Sequence, residues 1–457
     1  MAVESAGERL LRVVAEALGE VADGQSFAGE LAGPARRPKE TRRGAELSCS
    51  RYPHRASISR VSASHDLSAV AASDRSGATL RDFGSALLTF VICRGALLTF
   101  DLLVANLVVA NLVPGANACA PRAPVLGQGW GWLDVLFHWD ANWYLQIANR
   151  GYSFVPGRIS SVSFFPLYPY LARWLGFVFG GLALGGLVLS NVASVVALFY
   201  LRRLGQLLFD ERVGKLAGVL VLVFPTSLFL SVFYTEGLFL ALTVACMFYY
   251  FRGRFVLAGL LGFLAMLTRS TALALFLALA LDLGLRVLRR EQRLRVPMLA
   301  LGLIPLGLVT YLALLQHEVH DWRALSKSLE AWGRAPAWPW QPLVSAFSGV
   351  EHGTWFSKEQ LFVEAVFGSS FLALGTAMAV QRWPVALWSY VVFGVLMPLS
   401  TNNLAGVMRY VLVLFPAFLF MAWLWRDRRD LQWIIIAASV CFLCIYSLRY
   451  MHCLWSG

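Results

Sequence analysis

The chain has 457 residues, of which 58% are hydrophobic and 14% charged, with 39 Lys and Arg against 27 Asp and Glu. A soluble domain carries roughly 25% charged residues, so composition argues against an ordinary soluble enzyme, and equally against a collagen, a disulfide scaffold or a nucleic-acid-binding module. Basic charge scattered between apolar runs is a topology signal, and the expected class is all-α: a polytopic transmembrane helical bundle.

Residues 1–82 hold 12 Lys and Arg and 11 Asp and Glu, mixed with Ser and Ala and interrupted by Pro34 and Pro38. No sustained apolar period and no signal-peptide core is present, although 5–21 would suit a short amphipathic helix; the segment is expected to be a disordered polar extension. From Phe83 to the end the chain reads as one membrane domain. A spanning helix needs about 20 apolar residues. About eleven spans are expected, at 83–113, 181–201, 216–231, 236–251, 255–267, 271–288, 297–316, 360–380, 384–400, 407–425 and 431–450. The stretch 163–179 is a further span or a kinked, half-inserted hairpin, because Pro166 and Pro169 would bend a helix there.

Arginine placement orients these spans. With a cytoplasmic N-terminus and 163–179 not crossing, the inner breaks hold 15 Lys and Arg in 36 residues and the outer breaks 9 in 108. That is the asymmetry of the positive-inside rule, and it puts the long loops 114–162 and 317–359 outside. Of seven cysteines, Cys441 and Cys444 are spaced C-x-x-C within an apolar helix, where a core role outweighs a redox one. Cys119 and Cys453 could meet on the outer side. No His/Cys spacing suggests zinc, no glycine-rich loop suggests a nucleotide phosphate, and no Asn-x-Ser/Thr acceptor occurs; neither cofactor nor metal is expected.

The first outer loop carries the densest polar-aromatic cluster, GWLDVLFHWDANWYLQIANRGYSF. Wound as one helix over 132–149, it puts Asp134, His138, Asn142 and Asn149 on a solvated face, while Asp140 falls among Leu133, Leu136, Tyr144 and Ile147. A carboxylate on an apolar face of a membrane protein requires a partner or a purpose. Asp140 either caps a helix starting at Ala141 or serves catalysis or substrate binding. Three further outer breaks carry polar groups: Tyr234-Thr235-Glu236, Thr268-Arg269-Ser270, and the loop with Asn402, Asn403 and Arg409. Each alone suits a cap or a snorkelling arginine. Together they predict that Asp140, Glu236, Arg269 and Arg409 converge at one outer membrane boundary, a set suited to deprotonating a hydroxyl beside an anionic leaving group.

WDANWYLQIANRGY followed by FFPLYP resembles the signature region of the PIG-V-like mannosyltransferases, members of the GT-C class of polyprenyl-phosphate-sugar-dependent glycosyltransferases. The matching positions run in order: Trp139-Asp140, Ile147-Ala148, Gly151-Tyr152, Phe164-Phe165-Pro166, Tyr234-Thr235-Glu236, Arg269-Ser270, and Arg409-Tyr410 with Phe415-Pro416, covering about residues 83–450. The eukaryotic motif often has His after the W-D pair, where this chain has Asn142 and Trp143. That departure, the short loops and the lack of glycosylation acceptors resemble the bacterial members.

The resemblance implies an integral-membrane mannosyltransferase related to glycosylphosphatidylinositol (GPI)-anchor biosynthesis. It implies a polyprenyl-phosphate-linked sugar donor, a lipid or glycan acceptor, surrounding membrane lipids and no nucleic acid. The bacterial inner membrane is favoured, the endoplasmic reticulum being the eukaryotic counterpart, with the site on the periplasmic or luminal side. Asp140 is the expected general base. Glu236, Arg269, Arg409, Trp139, Asn142, Tyr152, Tyr234 and Asn402 are the expected substrate-binding residues, with aromatic faces at Trp139, Tyr144 and Tyr152 for sugar CH groups. A lipid-linked-sugar flippase or transporter, or a non-catalytic membrane subunit, would share the polytopic body; a flippase would need polar groups reachable from both sides.

Overall fold

In the computed structural model, residues 76–104, 131–348, 357–452 and 454 are described. All belong to the compact unit Asp66–Gly457, whereas the second unit, Met1–His65, lies outside the described residues, as do Cys119 and Cys453. The sixteen described α-helices are α1 Ser76–Val104, α2 Ala141–Arg150, α3 Leu167–Phe179, α4 Leu182–Leu208, α5 Glu211–Val223, α6 Glu236–Phe251, α7 Phe255–Met266, α8 Ala272–Leu288, α9 Leu303–Val319, α10 Ala324–Ala331, α11 Trp340–Ser348, α12 Lys358–Val380, α13 Val385–Leu399, α14 Val407–Leu412, α15 Phe415–Trp425 and α16 Arg429–Met451. Among the described residues no β-sheet forms; one isolated antiparallel bridge joins Pro336 and Thr401.

Five segments are long and apolar enough to cross a membrane: Thr79–Asp101, Leu182–Leu208, Val296–Val319, Lys358–Val380 and Arg429–Met451. Four shorter apolar helices, α6, α7, α13 and α15, accompany them. The all-helical, multi-span class is therefore as expected, while these lengths do not establish a count of eleven. Several expected spans are interrupted. The 216–231 stretch is α5 followed by a 3-10 turn, Ser227–Leu230, and 407–425 divides into α14 and α15. α1 begins at Ser76, ahead of the boundary read at Phe83.

The expected kink in 163–179 is absent. Pro166 sits just before α3 and Pro169 lies in its first turn, where a missing N–H costs no helical hydrogen bond. The proposed single helix over 132–149 is also broken. A 3-10 turn, Gly131–Phe137, ends at His138, and α2 starts only at Ala141. Between them Trp139 takes a left-handed backbone, φ 55°, an uncommon conformation for a bulky side chain. That reversal re-aims everything before it, so His138, expected on the solvated face, is buried at 3% exposure, its Nδ1 3.0 Å from the Tyr450 carbonyl.

Most buried charges in the helical body are satisfied locally. Asp82 of α1 pairs with Arg202 and Arg203 of α4 at 3.0 and 3.3 Å, and Arg202 also reaches Glu211 at 2.7 Å. Asp282 accepts from the Tyr250 hydroxyl and pairs with Arg286 at 2.9 Å. Asp101 accepts from Ser447 at 2.6 Å. α4 packs along α3 and α6, and α13 along α8 and α12. Three non-helical breaks, before α6, between α7 and α8, and before α14, interrupt this frame. Irregular backbone inside a membrane protein is tolerated where protein buries it or where it lines a cavity.

Candidate active site

These breaks are held together by bonds remote in sequence. The amide of Leu167 donates to the Leu267 carbonyl at 2.9 Å, and the Thr226 hydroxyl donates to the Met408 carbonyl at 3.1 Å. At the start of α6, Gly237 lets the first turn lie directly on α4. A Cβ there would fall 2.7 Å from the Ser190 carbonyl oxygen, so Glu236 is pressed into the interior by the close approach of its neighbour. The carboxyl of Glu236 is fully buried.

Glu236 binds two guanidiniums. Its Oε1 accepts from Arg269 Nη1 at 2.5 Å and from Arg409 Nε at 2.9 Å. Arg409 then reaches on through Nη1 to Asp140 Oδ2 at 2.8 Å. The guanidinium carbon of Arg409 lies 4.7 Å from the Phe229 ring and 4.8 Å from the Tyr234 ring, cation–π contacts that fix its plane. Arg269 donates in addition to the Thr235 hydroxyl at 3.2 Å, and Thr235 lies 3.4 Å from the Tyr144 hydroxyl. Asp140, Glu236, Arg269 and Arg409 thus form one continuous network, two carboxylates with two guanidiniums, as their shared side in the sequence suggested.

Asp140 occupies the position before α2 without capping it with its side chain. Its backbone is helical, φ −62° and ψ −23°, its carbonyl accepts from the amides of Trp143 and Tyr144, and its side chain turns to Arg409. Tyr234 braces the reversal at Trp139 from both sides, its hydroxyl accepting the Asp140 amide at 3.1 Å and donating to the His138 carbonyl at 3.0 Å. Asp140 is also the more open of the two carboxylates, its side chain 15% exposed against none for Glu236. Its Oδ1 has no hydrogen-bond partner among the described residues.

Electrostatics follow from burial and pairing. Burial opposes the charge of Arg269, but Glu236 more than offsets this and holds the guanidinium above its ordinary range. Burial also pushes the Tyr144 phenol up, with Glu236 and Asp140 adding to the effect, so it stays protonated and serves as a hydrogen-bonding hydroxyl. Among the described residues no three His, Cys, Asp or Glu side chains gather as metal ligands would.

The other expected binding residues are less central. Trp139 is half-buried against the main core. Asn142 is exposed on the first turn of α2. Tyr152, expected to offer a sugar-facing ring, is buried in a separate cluster with Tyr311, and its hydroxyl donates to the Phe164 carbonyl at 2.9 Å. Asn402 faces the long loop, its amide and Oδ1 both bonded to the backbone of Ala335 at 3.0 Å. Thr235 and Phe229 join the network without having been expected there. The YTE break did flag Thr235, whereas nothing in the apolar run SLFL marks Phe229 as the arginine's platform.

A family model described as Mannosyltransferase (PIG-V) matches residues 87–282. Over that segment the chain is PIG-V-like. The mouse "GPI alpha-1,6-mannosyltransferase 2" is 33% identical over 181 residues, covering 35% of this chain and 36% of the mouse protein. The human protein of the same name is 34% identical over 155 residues, 31% of this chain and 30% of that one. A "GPI mannosyltransferase 2" of Chaetomium globosum is 30% identical over 146 residues, 28% of this chain and 30% of its own. The chain thus spans about a third of the length of the curated relatives it matches. Among solved structures, ArnT from Cupriavidus metallidurans bound to undecaprenyl phosphate is 16% identical, with a TM-score of 0.46 over 79% of this chain and 63% of ArnT. The oligosaccharyltransferase of Archaeoglobus fulgidus is 14% identical, with a TM-score of 0.40 over 77% and 53% of the two chains. Asp140, Glu236 and Arg269 lie inside the PIG-V-like segment, and Arg409 lies beyond it.

Proposed function

We propose that the chain is an integral-membrane mannosyltransferase that moves mannose from a polyprenyl-phosphate donor to a lipid-linked or glycan acceptor at the outer or luminal membrane face. The PIG-V-like segment supports the transferred sugar. The observation that carries the mechanism is the division of labour between the two carboxylates: Glu236 is wholly enclosed and pairs with two arginines, while Asp140 pairs with one of them and is the partly exposed carboxylate.

In this reading the acceptor hydroxyl hydrogen-bonds to Asp140 Oδ1. As its oxygen attacks the anomeric carbon, the proton passes to Asp140, the bond from the anomeric carbon to the phosphate oxygen breaks, and the electron pair leaves with the polyprenyl phosphate. Attack opposite the leaving group inverts the anomeric centre. Arg269 and Arg409 favour the departing phosphate, charge-assisted hydrogen bonds being about twice as strong as neutral ones. Tyr234, Thr235 and Tyr144 hold the carboxylate and guanidiniums in register. The other residues of the expected binding set, Trp139, Asn142, Tyr152 and Asn402, shape the surroundings; Tyr152 and Asn402 do so by fixing backbone rather than by touching sugar. The membrane is the bacterial inner membrane or the endoplasmic reticulum.

The test is incubation of purified protein with labelled polyprenyl-phosphate mannose and candidate lipid acceptors. Transfer of label to an acceptor with an inverted linkage supports the reading. Movement of the intact donor across a vesicle membrane without transfer would replace it with a flippase.

A further inference from the structure

The segment between α9 and α12 includes a helix, α11, whose outward side is apolar. Residues 335–348 contain no charged side chain. Within them Trp338, Trp340, Val344 and Phe347 are each at least 50% exposed. At about 100° per residue Trp340, Val344 and Phe347 fall on one side of α11. Pro342, Leu343 and Ala346 fall on the other, which is turned inward where α11 packs against α12 and α13. The rings of Trp338 and Trp340 stack, 5.1 Å between centroids and 11° apart, and the Gln341 side chain braces this turn by accepting the Trp338 amide at 3.0 Å. A helix packed on one side and apolar on the other is not built for water, since exposed apolar patches mark contact with a partner or with lipid.

Two observations favour lipid. The exposed face is continuous with the flank of a spanning helix: Phe347 meets Phe362 of α12 edge-on, ring centroids 5.6 Å apart, and Val366 carries the exposed apolar surface on along α12. That helix, Lys358–Val380, is one of the segments long and apolar enough to cross a membrane. The depth also fits. Phe362 lies one turn inside the exposed Lys358 and Glu359, which open α12 behind a capping box of Ser357 and Gln360. Phe347 of α11 therefore stands at the level where the span leaves the bilayer, the depth at which tryptophan is enriched. A polar protein partner would find no charge on residues 335–348 to pair with.

We infer that α11 and its Trp338–Trp340 pair form an anchor seated in the boundary between lipid headgroups and acyl chains, at the end of the bundle that carries the Asp140–Arg409 pair. The anchor is fastened to that end. The Pro336–Thr401 bridge and the bonds Asn402 N–H to Ala335 O, Ala335 N–H to Asn402 Oδ1 and Ala337 N–H to Ser400 O, each at 3.0 Å, hook residues 335–337 onto the loop that leads into α14, the helix of Arg409. Just before the hook, Trp332 packs edge-on against Phe164 and Trp143, at 6.1 and 6.5 Å between ring centroids. The bilayer thus steadies the loop ahead of Arg409 from outside the protein. The inference needs only a membrane around the chain and stands whether or not the transfer reading does.

The experiment uses the full chain in nanodiscs whose lipids are brominated either close to the headgroup or close to the chain end. The chain has 16 Trp, so the pair is read as the fluorescence difference between wild type and Trp338→Phe with Trp340→Phe, which keeps aromatic bulk. That difference should be lost to the shallow bromines more than to the deep ones and be spared by aqueous iodide. Val344→Asp, made in both backgrounds, puts a charge on the exposed face without touching the packed side. It should reverse the order, sparing the pair from lipid and opening it to iodide. Iodide quenching of the wild-type pair with no effect of brominated lipid overturns the inference, as does stronger quenching by the deep bromines. Protection from every quencher overturns it too, and dimers on crosslinking would then assign the face to a second copy of the chain.

Discussion

The hydroxyl of Tyr234 accepts the amide hydrogen of Asp140 at 3.1 Å, so a residue at the end of one helical break fixes the backbone of the carboxylate in another. The same hydroxyl donates to the His138 carbonyl at 3.0 Å, which clamps the left-handed turn at Trp139 between its two neighbours. The direction of the Asp140 side chain depends on that turn.

Tyr234→Phe removes the clamp and little else, because the ring and its contact with Arg409 remain. The part-buried Asp140 amide loses its Tyr234 hydroxyl partner, while the His138 carbonyl keeps the Tyr450 hydroxyl at 3.4 Å, a loss of about 1–3 kcal/mol. The expected outcome is a lower melting temperature together with a fall in kcat larger than any rise in KM, as the carboxylate loses its aim. Steady-state kinetics and thermal unfolding in detergent check both parts. Wild-type turnover in the variant would show that the turn at Trp139 holds without the phenol.

Glu236→Gln leaves Arg269 and Arg409 with one fewer compensating charge in a buried site. Breaking a buried ion pair from one side costs about 3–5 kcal/mol. Glu236→Gln should therefore be more destabilising than Asp140→Asn, whose carboxyl is partly open and bound to a single arginine. Comparison of the two melting temperatures tests this; the opposite order would contradict the assignment of Glu236 as the network's internal counter-ion.

His138 provides a pH signature. Burial holds its imidazole below the ordinary value, although its bond to the Tyr450 carbonyl and the charge of Asp134 act the other way. The unfolded chain then binds the proton more readily than the folded one. Stability contributed by the neutral ring is fully present above about pH 6.5 and falls as the pH drops through and below that value toward the lower folded-state value. Melting temperatures measured from pH 8 to pH 5 should fall for the wild type, and His138→Gln should flatten that part of the profile. An unchanged slope in the variant would assign the pH dependence to other groups.

How much of this was readable in the sequence depends on the residue. Helix existence was legible because apolar runs and arginine-rich breaks are local features. The meeting of Asp140, Glu236, Arg269 and Arg409 was legible because all four stand at breaks assigned to one side. The facing of His138 was not, since helical periodicity carries across a segment only while the backbone stays right-handed, and Trp139 does not. Pro166 and Pro169 were misread as a kink because their effect depends on where the helix starts, a boundary that periodicity places poorly. Tyr152 and Asn402 carry functional side chains by type, but whether a polar tip meets substrate or backbone is decided by how the chain folds back: the Tyr152 ring packs on distant Tyr311 while its hydroxyl meets the Phe164 carbonyl, and Asn402 meets Ala335, about seventy residues away.

The most direct measurement of the central claim is single-turnover mannosyl transfer by Asp140→Asn, with polyprenyl phosphate binding measured on the same preparation. Asparagine keeps the size of the side chain and a hydrogen-bond acceptor toward Arg409 but cannot take the acceptor's proton. The account predicts a transfer rate lower by about two to four orders of magnitude with lipid-phosphate binding intact. Transfer at the wild-type rate would contradict it.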